Sequence, residues 1–120
     1  MTKLECNGNY QLKTLDVSKN TALTYLDSNN NYLVATLDVS KNTALTYLNC
    51  YSNGLKTLDV YNNTALTTLQ CASNQITYLY VGSNTALTKL DVGYNKIGYI
   101  DVSKNTALKS LTDNFRYILI

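Results

Sequence analysis

The sequence has no histidine, no proline and no tryptophan, a single phenylalanine, a single methionine and only three cysteines. Without histidine, and with no Cys-x-x-Cys pair, zinc has no familiar ligand set, so no metal site is expected. The odd cysteine count, Cys6, Cys50 and Cys71, allows at most one bridge and leaves a thiol over. No apolar run approaches the length of a membrane span, and the amino terminus lacks the charged-then-apolar pattern of a signal peptide. Nor is there a block of one charge. Ten Lys and Arg stand against eight Asp and Glu along 120 residues, which supplies no electrostatic footprint for nucleic acid or anionic lipid. No constellation of catalytic residues rises above the background, so neither an enzyme nor a cofactor is expected. Met1-Thr2-Lys3 runs straight into repeat sequence at Leu4, as in a fragment without its leader or neighbouring segments.

What is abundant is Asn, Thr and Tyr, with eleven tyrosines, among aliphatic residues that recur without interruption. That bias is the product of repetition and not of disorder. Residues 37–53 contain the template twice, as Leu-x-Val/Cys-x-x-Asn, and each unit closes on an asparagine: Asn9, Asn20, Asn31, Asn42, Asn53, Asn63, Asn74, Asn84, Asn95 and Asn105. Steps are eleven residues to Asn53, then alternate ten and eleven. Two units make a repeat of 21 or 22 residues, the period of a solenoid in which each coil stacks on the last. One flavour carries Val17, Val39, Val60 and Val81; the other has Cys6, Ser28, Cys50, Cys71, Val92 and Asp113 at the equivalent place.

Within a unit, Leu-x-x-Leu-x-Val/Cys alternates inward and outward with period two and predicts an extended strand. Equivalent strands of successive coils then lie parallel, and Ser-Lys-Asn-Thr-Ala forms corners. One coil alone buries too few aliphatic side chains to offset the entropy of ordering it, so the coils must stack. Corners turn backbone polar groups inward, and an Asn amide donates and accepts at once. A ladder of Asn20, Asn42, Asn63, Asn84 and Asn105 is therefore expected to satisfy both kinds of group from coil to coil. Cys50 and Cys71 fall at one inward position on neighbouring coils and read as core packing.

These motifs, as Leu12-Lys13-Thr14-Leu15-Asp16-Val17-Ser18-Lys19-Asn20 and Leu45-Thr46-Tyr47-Leu48-Asn49-Cys50-Tyr51-Ser52-Asn53, resemble bacterial leucine-rich repeats. They are most similar to the nested ten- and eleven-residue type of Bacteroidetes surface proteins and internalin-like proteins. The resemblance covers residues 4–111. It implies a right-handed leucine-rich-repeat solenoid of about five coils, mostly β with parallel strands on two faces and little helix. It also implies an extracellular or cell-surface location and binding of a protein or glycan. Recognisable capping modules are missing from both ends.

The chain is expected to be one domain over residues 1–120, with a tail or cap at 112–120. Beyond Asn105 the template decays: Asp113 takes an inward apolar position and Arg116 stands where Asn should be. Phe115, Tyr117, Ile118, Leu119 and Ile120 then form an apolar tail. Such a tail either caps the last coil or pairs with a second copy through an open edge.

The outward row Asp16, Asp38, Asp59, Tyr80, Asp101 suits calcium ligation by oxygen, or paired acids of a glycosidase. The default is a solvated face neutralised by Lys19, Lys41 and Lys104. Beside it run Thr14, Thr36, Thr57, Tyr78 and Tyr99, and across the solenoid Tyr25, Tyr47, Thr68, Lys89 and Ser110. Tyrosine offers large, stiff contact area with a polar tip. Tyr78, Tyr80 and Tyr99, with Asp101, are therefore the candidate ligand-binding residues. Flat Thr ladders also suit ice, but Tyr and Asp interrupt them. The expected function is a non-catalytic binding scaffold, with a structural module that self-associates through its ends and tail as the alternative.

Overall fold

In the computed structural model, residues 1–32 and 35–113 are described, together with the backbone of Tyr117–Leu119. The chain is a parallel-strand solenoid of about five coils, 35 × 26 × 18 Å, with no helix among the described residues. Eight three-residue strands run in chain order: β1 Lys3–Glu5, β2 Tyr25–Asp27, β3 Tyr47–Asn49, β4 Thr68–Gln70, β5 Lys89–Asp91, β6 Tyr99–Asp101, β7 Ser110–Thr112 and β8 Tyr117–Leu119. Strands β1 to β5 and β7 form one six-stranded parallel sheet, and β6 pairs with β8 in a second.

Register follows the leucines. Leu4, Leu26, Leu48, Leu69, Leu90 and Leu111 lie opposite one another through the large sheet, because a slip of one residue would turn every leucine to solvent. The other side of each coil supplies Leu37, Val39, Leu58, Val60, Leu79 and Val81 to the same core. Leu12 and Leu15 of the first coil, and Leu108 and Leu111 of the last, are only partly buried, since each lacks a neighbour on one side.

The corners are two successive turns about the asparagine. Asn63 N–H donates to Val60 C=O at 3.0 Å and Leu66 N–H to Asn63 C=O at 3.2 Å, and the pattern recurs at Asn20, Asn42, Asn84 and Asn105. The side chains then reach back one coil. Asn42 Nδ2 donates to the Val17 and Asn20 carbonyls, Asn63 to Val39 and Asn42, Asn84 to Val60 and Asn63, and Asn105 to Val81 and Asn84, all at 2.8–3.0 Å. Asn20, in the first coil, has no such carbonyls behind it and points its amide at Met1 Sδ, 3.9 Å away.

This column does only half of what amide chemistry allows. The Oδ1 atoms of Asn42, Asn63, Asn84 and Asn105 are buried and accept nothing. Both hydrogens of each amide are committed backward to carbonyls, and turning the group over would lose both bonds. The asparagines that close the alternate units do both jobs. Asn74 Oδ1 accepts from Asn53 N–H at 3.2 Å and Leu55 N–H at 3.0 Å, while its Nδ2 donates to Cys50 and Cys71 carbonyls at 3.0 Å. At that second corner the residue before each asparagine is left-handed: Gly8, Asn30, Ser52, Ser73 and Tyr94 have φ of 53–75°.

The two faces are unequal. Parallel strands lie on both, as expected, six on the first face and the pair β6 and β8 on the second among the described residues. Elsewhere one backbone bond links successive coils there, such as Gln75 N–H to Leu55 C=O and Lys96 N–H to Ile76 C=O. Side-chain oxygens accept backbone N–H groups on both faces. Asp16, Asp38, Asp59 and Asp101 each accept from the N–H two residues on, at 2.9 Å, as Asp27, Asn49 and Asp91 do at the ends of β2, β3 and β5. At the carboxyl end the backbone of Tyr117–Leu119 lies parallel to Tyr99–Asp101. The cap and edge-pairing roles of Phe115 and Ile120, and the place of Arg116 in the asparagine series, fall outside the described residues.

If the donor of the asparagine matters, Asn63→Ala lowers unfolding free energy by about 2–4 kcal/mol, two carbonyl partners at 1–2 each. Asn63→Asp, which aims a carboxylate at the Val39 and Asn42 carbonyls, costs more. Urea unfolding checks this against exposed Asn62→Ala, expected within about 0.5 kcal/mol of wild type.

Candidate ligand-binding faces

On the second face, Asp38 and Asp59 flank a shallow cleft of about 360 Å³ lined also by Thr36, Leu37, Ser40 and Thr57. The acidic row is built into the backbone. Hydrogen bonds from Ser18, Ser40 and Ser103, then the nearby lysines, hold Asp16, Asp38 and Asp101 below the usual carboxylate range. The chain phrase Asp-Val-Ser is thus a corner device in which the acid caps the turn that follows. No group of three or more metal-binding side chains gathers among the described residues.

Residues 80–82 break that phrase in two places at once. Tyr80 stands for the acid and Gly82 for the serine. A Cβ on Gly82 would strike the Tyr80 hydroxyl and the ring carbons beside it, so the glycine makes room for the tyrosine. Tyr80 stacks on Tyr61 of the preceding coil, centroids 6.0 Å apart at 24°. Tyr78 and Tyr99, one repeat apart on consecutive coils, are 63% and 48% exposed, and neither ring contacts another among the described residues. The candidate quartet therefore divides into Tyr78 and Tyr99, open to solvent, Tyr80, turned toward Tyr61, and Asp101, a corner cap. Tyr61 was not among the expected site residues, although its replacement of Ser in the corner phrase was visible.

The outer face of the large sheet is more regular. Tyr25 and Tyr47 are directly opposite across β2 and β3, with rings 4.2 Å apart and 2° from parallel. Lys3 Nζ sits over the free side of Tyr25, 4.7 Å from its centroid, and also pairs with Glu5 at 3.2 Å. Tyr47 Oη donates to Gln70 Oε1 at 3.2 Å. Partial burial, then the Tyr25 hydroxyl, push the Tyr47 phenol up to about 12. Along the margin, Thr46 Oγ1 donates to Thr24 C=O, Thr67 to Thr46 and Thr88 to Thr67 at 3.0–3.1 Å. This threonine ladder escaped the period-two pattern because it sits at the strand entry.

Cys50 and Cys71 are completely buried free thiols one coil apart, and burial raises Cys50 to about 12 and Cys71 well above the ordinary thiol value. Cys6 is half-buried and also raised, first by burial and then by Asp27.

Stacked coils, inward leucine columns and inter-coil asparagines define a leucine-rich-repeat protein. The leucine-rich-repeat family model matches residues 83–104. The chain is similar to InlJ of Listeria monocytogenes, whose functional domain includes a cysteine ladder: 35% identity, TM-score 0.92, covering 95% of this chain and 25% of that one. It is also similar to a leucine-rich-repeat protein of Leptospira interrogans at 23% identity and TM-score 0.80, covering 88% and 30%. The ectodomain of the Arabidopsis thaliana receptor kinase SOBIR1 shares the fold at 19% identity and TM-score 0.73, covering 86% and 63%. No curated protein matches in sequence. The family match and the likeness to these structures support a bacterial leucine-rich-repeat protein, whose fold is typical of non-enzymatic binding scaffolds. It spans a quarter to a third of the length of the two bacterial structures.

Two measurements follow from this geometry. Mass spectrometry after brief native alkylation finds label on Cys6, with Cys50 and Cys71 reacting only in denaturant; native label at Cys71 contradicts the packing. In a double-mutant cycle, Tyr80→Asp restores the corner cap and removes the ring that Gly82→Ser would strike. The pair is therefore more stable than the sum of its singles by about 0.5–1 kcal/mol in urea unfolding.

Proposed function

We propose that this chain is a non-catalytic recognition module of a bacterial surface or secreted protein that binds a protein or glycan through its second face. The observation that carries the reading is the group of solvent-facing tyrosines there, Tyr78 and Tyr99 with the Tyr61–Tyr80 stack beside them. Stiff aromatic side chains on a rigid scaffold lose little entropy on binding. The surface location rests on likeness to InlJ and to a receptor ectodomain. Asp101 closes its own corner, accepting from the Ser103 N–H and hydroxyl on one oxygen.

Arrays of glycans and of surface proteins test the reading. Wild type selects a ligand, and Tyr78→Ala with Tyr99→Ala lowers that affinity by at least about 30-fold, as for two contact residues at the centre of an interface. The circular dichroism spectrum is unchanged. Undiminished affinity rejects the site.

A further inference from the structure

The large sheet carries a second feature that is independent of the second-face tyrosines. Its outward row reads Lys3, Tyr25, Tyr47, Thr68, Lys89, Ser110, with each residue directly opposite the next. Tyr25 shows what this row does with an aromatic ring: Tyr47 covers one side at 4.2 Å and the Lys3 ammonium covers the other at 4.7 Å. One coil further along, the order is mirrored. Tyr47 presents its other side, Lys89 stands two coils away, and between them lies Thr68, too short to fill a ring's thickness.

We infer that the space over Thr68, between Tyr47 and Lys89, is a slot for one aromatic side chain of a protein partner. Two coil steps span roughly 9.6 Å, which accommodates one ring at the same two separations that Tyr25 already shows. An inserted ring extends the stack to three, with a lysine at each end. The chemistry selects an aromatic group. Offset stacking on Tyr47 rewards any flat face, but an ammonium is drawn to the negative face of a π system, which a neutral sugar lacks. Tyr47 is held for the task by Tyr25 behind it and by its hydrogen bond to Gln70. The floor is fixed by the unbroken ladder of β3, β4 and β5.

N-acetyl-L-tryptophanamide is titrated into 15N-labelled protein, with N-acetyl-L-leucinamide and methyl β-D-glucopyranoside as comparators. The tryptophan amide produces saturable millimolar shifts at the amides of Tyr47, Thr68 and Lys89, and the comparators produce none there. Lys89→Ala weakens the response about fivefold, the scale of an exposed cation–π contact. Thr68→Tyr, which places in the slot the residue its two preceding equivalents already are, abolishes it while the remaining spectrum shows an intact fold. Equal shifts from the glucoside, a response confined to Tyr78 and Tyr99, or full retention in Thr68→Tyr overturns the inference. The second of those outcomes leaves the second-face reading standing.

Discussion

Every coil of this molecule is tied to the one before it by an asparagine amide that gives both hydrogens backward. The bonds from Asn42, Asn63, Asn84 and Asn105 end on carbonyls 21 to 25 residues earlier in the chain, so no coil can make them alone. Each carbonyl already serves a turn of its own corner and takes the amide as a second donor, which is how a tight corner stays buried without stranding its acceptors. The unpaired Oδ1 is the cost of that choice, and it recurs unchanged wherever a coil lies behind.

With the corners locked, variation at outward positions has little effect on the core, and the surface rows are free to diverge. The acidic row serves the backbone, and where it is abandoned, at residues 80–82, the loss of the cap coincides with the arrival of an aromatic stack and a glycine that admits it. On the opposite face, tyrosine occupies two consecutive coils and then stops at Thr68.

Much of this was legible in the chain. Period two and the leucine spacing give the core columns, and the asparagine series gives the corners, because each depends on one residue type at one spacing. The sheet's inequality was not legible: Leu-x-x-Leu-x-Val has the same alternation on both sides, and the side-chain bond to the N–H two residues on occurs on both as well. The division of labour between the asparagine columns was hidden for a related reason. Asn63 and Asn74 are the same residue in similar phrases, and which atoms are paired depends on the turn that each terminates. Among the candidate site residues, exposure of Tyr78 and Tyr99 followed from alternation, whereas Tyr80's turn toward Tyr61 depended on a missing side chain at Gly82.

Hydrogen exchange of side-chain amides tests the inter-coil bond most directly. The Nδ2 protons of Asn42, Asn63 and Asn84 are predicted to exchange only on global unfolding, with the same opening free energy as the core amides of Leu48 and Leu69, while those of Asn20 and Asn62 exchange early. If the Asn63 side-chain protons exchange as fast as those of Asn62, the amides do not hold the coils together and the account fails.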